Sequence, residues 1–476
     1  MLMKQNSNKN RFLNITLSSV VILTAGLFGV LEAATLQQSY DKKYTTNSHN
    51  KTLFTKKVSG LNDEELDNFI LGKSFFRIPW VEAPSATTAR DGLGPLFGAN
   101  TCITCHPNNG LAKKYTKNGS PSRGYVARLS IPSNHSKEHQ KQLKYNGFVQ
   151  EPTYGAQISL NGSKNVPFEA KPIISYEKKL IIYPDGEQIT LSKPLHKHAN
   201  KLYDLQYGEL HPQTSITSRM AQALVGLGLL DQLSDEQILE NQDIDDKNND
   251  GISGKANIVY SPEFKDFRVG KFTWKASAPS VKHQVAAAAN NDMGLTNPLF
   301  TNENCTSKQI ECLNAPKGDN RRGMSEFDLT QERLDAITFY VSNLKIPKST
   351  ITQKDGEKIF KQIGCADCHK AEFTLKNGYK IKPFTDMLLH DMGEELSDGR
   401  AEFLATPTDW RTAPLWSIGK YHLALGEKPA LLHDGRAKSV EEAILWHGGE
   451  ALASKKSFMK LDKKQRKSLL SYIDEI

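Results

Sequence analysis

Cys365-Ala366-Asp367-Cys368-His369 constrains this chain more than any other segment, and its spacing recurs at Cys102-Ile103-Thr104-Cys105-His106. C-x-x-C-H is the attachment signature of a c-type haem: two thiolates add to the porphyrin vinyl groups, and the adjacent histidine is the proximal iron ligand. A redox C-x-x-C pair or half of a zinc site are the alternatives. Neither requires the histidine, and zinc would need the two cysteine pairs to meet in space.

The two motifs therefore predict two covalent haem c groups. The predicted attachment residues are Cys102, Cys105, Cys365 and Cys368, and the predicted axial ligands are His106 and His369. Cys305 and Cys312 remain, and as a pair they could close a short disulfide in an oxidising compartment.

The N-terminus has the pattern of an export signal. Lysine and arginine residues precede an apolar run over residues 12–31, which ends at the small residues Ala33-Ala34. An uncleaved membrane anchor is the alternative, although the run contains several polar residues and is barely long enough to span a bilayer. Because c-type haem is attached outside the cytoplasm, both signals predict a periplasmic protein that loses residues 1–34 and keeps no stable membrane span.

The 476 residues carry a formal charge of +8, and we find no case for nucleic-acid binding. Hydrophobic periodicity predicts helices from Asp63, Thr330, Asp355 and Asp462, and β-rich runs around Pro184-Asp185-Gly186 predict a hairpin. The predicted fold is mainly α, with two cytochrome c-like haem domains, the N-terminal one enlarged by a β-hairpin-containing insertion. The predicted divisions are a signal peptide (1–34), a flexible lead-in (35–58), an N-terminal haem domain (59–346) and a C-terminal cytochrome c domain (347–476).

Asp246, Asn248 and Asp250, followed by Gly251, resemble the first half of a calcium loop, with oxygen ligands at alternate positions. The twelfth position is Asn257 instead of glutamate. A calcium site and a metal-free turn rich in Asp and Asn are equally compatible with this pattern.

Several further segments carry a resemblance. They are Gly94-Pro-Leu-Phe97, Gly226-Leu-Gly-Leu-Leu230, Asp250-Gly-Ile-Ser-Gly254, Asp292-Met-Gly-Leu-Thr-Asn-Pro298 and His433-Asp-Gly-Arg436. With the two haem motifs, they resemble the di-haem oxidoreductase family, also described as thiol oxidoreductases or di-haem peroxidases, within the bacterial di-haem cytochrome c peroxidase superfamily. The resemblance covers residues 65–476. The thiol label gains no support, because no cysteine pair outside the haem motifs has C-x-x-C spacing.

The resemblance implies a catalytic, peroxide-binding N-terminal haem and a C-terminal haem that relays electrons. The position that supplies the sixth ligand of the C-terminal haem, Met in the peroxidases and Tyr in related methylamine-dehydrogenase maturation enzymes, corresponds to His447 here. A histidine that hydrogen-bonds loose carbonyls at a helix end is the alternative for His447. The rivals for the ligand position are Met387, His390, Met392 and Met459.

The superfamily also places a glutamine and a glutamate near the open face of the N-terminal haem, and Gln157 and Glu169 have a similar separation here. Both could equally be surface residues of the insertion. Trp274 is a candidate electron bridge, or an ordinary buried tryptophan.

The expected function is a peroxidase-like di-haem oxidoreductase. Its expected partners are a small oxidant such as hydrogen peroxide and an electron-donor protein, either a small cytochrome or a cupredoxin. The alternative is a non-catalytic di-haem electron carrier.

Overall fold

The computed structural model describes residues 34–87, 89–195, 200–318 and 326–476. The predicted signal peptide lies outside these residues except for Ala34. Residues 34–44 are helical. The other α-helices are Asp63–Arg77, Cys102–Cys105, Lys137–Asn146, Leu227–Leu230, Asp235–Leu239, Val281–Met293, Ile310–Leu313, Gln331–Ser342, Lys354–Gln362, Cys365–Cys368, Tyr421–Leu425, Val440–Trp446, Leu452–Lys460 and Lys463–Glu475.

The strands are short and pair two by two. In chain order they are Thr45–Thr46, Leu96–Phe97, Tyr125–Ser130, Asn161–Gly162, Lys171–Ile174, Tyr176–Ile182, Gln188–Pro194, Asn200–Tyr203, Ser215–Met220, Ile258–Ser261, Asp266–Val269, Ile346–Pro347, Phe373–Thr374, Lys380–Ile381, Leu389–Asp391 and Asp409–Arg411. Each described sheet has two strands.

The prediction of a mainly α fold is wrong. The chain is 33% helix and 18% strand, and the strands form only small two-stranded sheets. The longest of the unpredicted pairs joins Tyr125–Ser130 to Ser215–Met220 in antiparallel register. Its partners are far apart in sequence, so the pairing follows from tertiary packing and leaves no local turn signal.

One helix pair adjoins each haem motif. The helix before the first haem motif, Asp63–Arg77, packs on Gln331–Ser342, and the helix before the second, Lys354–Gln362, packs on Lys463–Glu475. Glycine allows both close approaches, because a Cβ on Gly72 or Gly356 would overlap a backbone carbonyl of the partner helix. Each C-x-x-C-H motif is thereby held beside a helix pair.

The predicted hairpin is present. Tyr176–Ile182 pairs antiparallel with Gln188–Pro194, and Ile182 lies opposite Gln188 at the turn. The turn is bound to the last helix, because Arg466 contacts both Asp185 and Glu187 at 2.6 Å. The insertion is therefore fastened to the C-terminal half of the protein.

The structure corrects the prediction that residues 35–58 form a flexible lead-in. Thr45–Thr46 pairs in parallel with Ile346–Pro347. Leu53, Phe54 and Val58 are buried. The polar composition that suggested flexibility is real, but these three apolar side chains are enough to pack the segment against the protein.

A single hydrophobic core includes residues from Leu53 to Ile476 and therefore from both predicted haem domains. The division at residues 346 and 347 stays a prediction. Among the described residues, no helix has the length and apolar character needed to cross a membrane.

Candidate functional site

Both C-x-x-C-H motifs open into one cavity of about 950 Å³. Each motif forms a single helical turn, Cys102–Cys105 or Cys365–Cys368, and the histidine follows directly as the C-cap. None of the four cysteines forms a disulfide. The two thiols and the imidazole of each motif are therefore presented to the same interior space.

The two motif histidines are oriented in the same way. The Nδ1–H of His106 donates to the carbonyl oxygen of Gln222 at 2.7 Å, and that of His369 donates to the carbonyl oxygen of Phe384 at 2.9 Å. Burial lowers the pKa of both imidazoles to about 4, so both rings are neutral. With Nδ1 protonated, Nε2 keeps its lone pair, which is the form that binds a metal.

His447 has the same arrangement. It follows the helix Val440–Trp446, whose first turn is capped by Ser439, and its Nδ1–H donates to the carbonyl oxygen of Ala443 at 2.7 Å. Its side chain lines the cavity. Burial is the main cause of the lowered pKa of His369, and neighbouring His447 lowers it further. The structure therefore brings His369 and His447 together at one cavity.

The four rivals of His447 differ in what they contact. Met387 is fully buried outside the cavity wall, where its sulfur faces Arg411, and Met459 also does not line the cavity. His390 lines the cavity, but Asp386 at 2.8 Å and Glu450 at 2.6 Å occupy its two ring nitrogens. Met392 lines the cavity and remains the one rival with access to it.

The carboxylates around His390 also bear on the zinc alternative. Burial alone lowers the pKa of His390, but its hydrogen bonds, above all to Asp386, raise it to about 12. A charged imidazole has no lone pair for a metal. Among the described residues, the one metal-like cluster is Cys368, Asp386 and His390, which contains a single motif cysteine. A zinc site made from both cysteine pairs would require all four thiols to lie together, and the described residues contain no such cluster.

The cavity walls fit a haem group. Apolar side chains supply much of the wall, among them Phe76, Leu111, Val225, Phe272, Ile337 and Val341. Arginine side chains also face the cavity, including Arg219, Arg400 and Arg411. The Nη2 of Arg400 is buried without a hydrogen-bond partner among the described residues. Haem propionates are anionic, and an orphaned guanidinium nitrogen is a suitable partner for a carboxylate.

A family model described as "Di-haem oxidoreductase, putative peroxidase" matches residues 43–476. The chain belongs to this family. Among solved structures, a chain of hydrazine synthase from Kuenenia stuttgartiensis, pressurised with 20 bar xenon, is 20% identical over 31% of this chain and 55% of that chain, with a TM-score of 0.21. The matched region thus spans about half of the hydrazine synthase chain, and so weak a likeness carries no argument. No curated protein matches the chain.

In this di-haem oxidoreductase, neither Gln157 nor Glu169 lines the cavity. Glu169 is buried and accepts hydrogen bonds from the Ser159 backbone N–H and from Gln309, each at 2.5 Å. Gln157 is buried directly behind the cavity wall, where its Nε2 donates to Oδ1 of Asp292 at 2.7 Å. Asp292 does line the cavity. The catalytic roles of Gln157 and Glu169 stay predictions, and the contacts of Glu169 argue against its role.

Burial raises the pKa of Glu169 from 4.5 to about 8, despite the hydrogen bonds that it accepts. Below pH 4.5 the folded and unfolded chains both hold the proton. Between pH 4.5 and 8 the unfolded chain ionises first, so the free energy of unfolding falls as the pH rises. At about 1.4 kcal/mol per pKa unit, the full effect is at most about 5 kcal/mol.

We therefore expect Glu169→Gln to remove this pH dependence. Between pH 5 and 8, the urea unfolding midpoint of the variant should rise progressively above that of the wild type. Above pH 8 the two midpoints should change in parallel. Midpoints that change in parallel from pH 5 upward would show that Glu169 ionises normally in the folded protein.

Four tryptophans line the cavity, and Trp274 and Trp410 are the two considered as electron bridges. The Nε1–H of Trp274 donates to the carbonyl oxygen of Met220 at 2.8 Å. Trp410, which sequence reasoning missed, stacks on His433 with ring centroids 3.8 Å apart, and Lys275 lies over its ring. A bridging role for Trp274 stays a prediction. Positive charge over the ring of Trp410 disfavours removal of an electron from it, which makes Trp274 the better candidate of the two.

The side chains of the predicted calcium loop bond to the loop itself. Asp246 accepts from the backbone N–H groups of Asp250 and Gly251, and Asn248 donates to Asp250 at 2.9 Å. Asn257 is buried elsewhere, where it bonds to backbone carbonyls of Lys275 and Glu402. These bonds are compatible with both alternatives, and calcium binding stays a prediction.

Cys305 and Cys312 are paired in a disulfide with a Cα–Cα distance of 5.8 Å. The bridge closes a loop that contains Gln309, the buried partner of Glu169. It therefore supports the contacts behind the cavity wall.

Proposed function

We propose that this protein is a c-type di-haem enzyme that reduces hydrogen peroxide at its N-terminal motif with electrons delivered through its C-terminal motif. The observation that carries the proposal is the single cavity into which both motifs open. Because the motifs share cavity walls, electrons have a direct route between them through the lining residues. Membership of a family of di-haem oxidoreductases supports the reaction class.

In this proposal the thiols of Cys102, Cys105, Cys365 and Cys368 attach the two haems. Their iron, when bound, supplies the one-electron redox chemistry. His106 and His369 each offer a neutral Nε2 to the metal, held in that orientation by a backbone carbonyl. A carbonyl partner on the far nitrogen fixes the ring and its tautomer, which supports both histidines as ligands.

His447 is proposed as the second axial ligand at the C-terminal motif. It is the third cavity-lining imidazole whose Nδ1 is bonded to a backbone carbonyl. Two imidazole ligands stabilise ferric iron and lower its potential relative to histidine and methionine. A low potential at this motif favours passing electrons onward to the N-terminal motif.

The protein is proposed to act in the periplasm, on the strength of the export pattern at its N-terminus. Its proposed partners are hydrogen peroxide and an electron-donor protein, a small cytochrome or a cupredoxin. A non-catalytic electron carrier is the second candidate, and it requires two axial protein ligands at both motifs.

The proposal is tested on holoprotein made with haem-attachment machinery. We expect a mass equal to the mature chain plus two haems, a high-spin ferric signal in the resting state, and reduction of hydrogen peroxide. Cys102→Ala/Cys105→Ala should keep one haem and lose peroxide reduction. The matched variant Cys365→Ala/Cys368→Ala should also keep one haem but lose reduction by the donor protein.

Two results would contradict the proposal. Low-spin signals from both haems in the resting and half-reduced states, with no peroxide reduction, would identify an electron carrier. Bound zinc without haem would exclude both functions.

A further inference from the structure

The helix Val281–Met293 forms part of the cavity wall, and most of its residues line the cavity. Val281, Val285, Ala288 and Asp292 follow each other at intervals of four, three and four residues, which puts them on the same side of the helix, and all four line the cavity. Three of these side chains are apolar. Asp292 is the ionisable residue of this face.

Asp292 lies close to the N-terminal haem motif. Its backbone carbonyl accepts from the N–H groups of Gly98 at 2.8 Å and Ala99 at 3.1 Å, just before Cys102 in the chain. Its charge also contributes to the raised pKa of both Cys102 and Cys105, after the larger effect of burial. The carboxyl group is thus placed at the end of the cavity that holds the first motif.

One oxygen of the Asp292 carboxyl group accepts a hydrogen bond from a protein side chain, and the other accepts none from the described residues. Oδ1 accepts from Nε2 of Gln157 at 2.7 Å, and Gln157 Nε2 also reaches the carbonyl oxygen of Asn291. Oδ2 accepts no hydrogen bond from any described residue. Burial raises the pKa of Asp292, while Arg128 and the bond from Gln157 oppose the rise. Arg128 lines the cavity as well.

We propose that Asp292 is the residue that moves a proton during peroxide reduction at the N-terminal motif, and that Gln157 is the positioning residue that holds it. The inference deepens the proposed function and rests on it. Asp292 takes the role that the sequence predicted for Glu169. The carboxyl group of Glu169 accepts hydrogen bonds from Ser159 and Gln309 and does not line the cavity.

Asp292 Oδ2 takes the proton from one peroxide oxygen and gives it to the other, the O–O bond breaks, and the protonated oxygen leaves as water. The remaining oxygen takes two protons from solvent and becomes the second water. The two electrons come one at a time from the donor protein. Without a group at Oδ2, the departing oxygen would have to leave as hydroxide, which is a poorer leaving group.

Cyanide binding tests the assignment without turnover. Hydrogen cyanide must lose its proton before it binds ferric iron, so a base at the iron raises the rate of binding. In fully ferric holoprotein, Asp292→Asn should lower the second-order rate constant for cyanide at least about tenfold, and it should lower kcat/KM for peroxide about 100-fold. Haem content and thermal midpoint should match the wild type.

Three further variants make the result specific. Glu311→Gln is the control, since Glu311 is exposed and does not line the cavity, and it should leave both rates within about twofold. Gln157→Met should lower the cyanide rate less than Asp292→Asn does, and Asp292→Glu should restore part of it.

The outcomes separate the inference from the proposed function. If the wild type reduces peroxide and binds cyanide but Asp292→Asn leaves both rates unchanged, the assignment is overturned and the function stands. The same holds if Glu169→Gln abolishes both rates while Asp292→Asn does not. If the wild type neither binds cyanide nor reduces peroxide, the proposed function fails and the assignment fails with it.

Discussion

His447→Ala is expected to convert the C-terminal haem from low spin to high spin while the N-terminal haem keeps its own spectrum. The imidazole is presented to the cavity beside His369, with its Nδ1 bonded to the carbonyl oxygen of Ala443. Alanine leaves no side chain that could reach the iron. Optical and EPR spectra of the ferric holoprotein measure the change directly, and the unaltered N-terminal haem is the internal reference.

His447→Met should give the opposite kind of change. A thioether stabilises ferrous iron relative to an imidazole, so the potential of the C-terminal haem should rise. We expect a rise well above about 59 mV, the shift that corresponds to a tenfold change in a one-electron equilibrium. A weak near-infrared charge-transfer band of histidine–methionine ligation should appear with it. Potentiometric titration followed optically provides the measurement.

Met392→Leu is the matched control for both variants, because Met392 is the remaining rival that lines the cavity. It should leave spectra and potential unchanged. Unchanged spectra in both His447 variants, together with a change in Met392→Leu, would transfer the ligand role to Met392.

Local signals were sufficient for the elements that carry the haem motifs. The helices predicted from Asp63 and Asp462 are present and each begins with a capping box, and Ser439 caps the helix that ends before His447. The hairpin around Asp185 and Gly186 is likewise local. Such features depend on residues three to eight apart, so they can be recognised without knowing the fold.

The remaining parts of the fold depend on distant partners. The strand Thr45–Thr46 forms because it pairs with Ile346–Pro347, and no sequence pattern within residues 35–58 indicates that pairing. Polar composition therefore predicted flexibility where the chain is packed. The same limit explains why the fraction of strand was underestimated, since half of the described two-stranded sheets pair strands that are not consecutive in the chain.

Asp292 shows the limit for the site. Its segment stood out in the sequence, but its position beside Cys102 arises from backbone bonds between residues almost two hundred positions apart. The separation of Gln157 and Glu169 suggested a pair, whereas the fold turns Gln157 toward Asp292 and Glu169 toward Gln309. A spacing rule could find the attachment cysteines because their chemistry requires adjacency, and proton-transfer groups carry no such requirement.

A buried ion network joins the two halves of the chain at the cavity. Asp398 accepts from Nε of Arg219 at 2.9 Å and from its Nη2 at 2.5 Å, and it also contacts Thr217 and Lys275. The side chains of Arg219 and Asp398 are only 5% and 2% exposed. Removing one member of such a network leaves the other charges buried without compensation.

We expect Asp398→Asn to lower the free energy of unfolding by about 3–5 kcal/mol, the usual result of breaking a buried ion pair on one side. Asparagine keeps the shape of the side chain but removes its charge, so that Glu402 at 3.4 Å is the acidic partner left to Arg219 and Lys275 keeps its bonds to backbone carbonyls. Urea unfolding of the holoprotein, followed by circular dichroism, measures the loss. Asp204→Asn is the matched control, because the Lys171–Asp204 pair is exposed and exposed pairs contribute little.

The same network predicts a pH dependence with a definite sign. Burial alone would raise the pKa of Asp398, but Arg219 and Lys275 outweigh it and hold the pKa well below its ordinary value of 3.8. The stabilisation from Asp398 is therefore fully present above pH 3.8 and is lost as the pH falls below it. The wild type should lose stability more steeply than Asp398→Asn below pH 4, so that their unfolding midpoints converge. Equal stability of the two proteins at pH 7 would mean that Arg219 and Lys275 find compensation elsewhere, and that the network does not hold the two halves together.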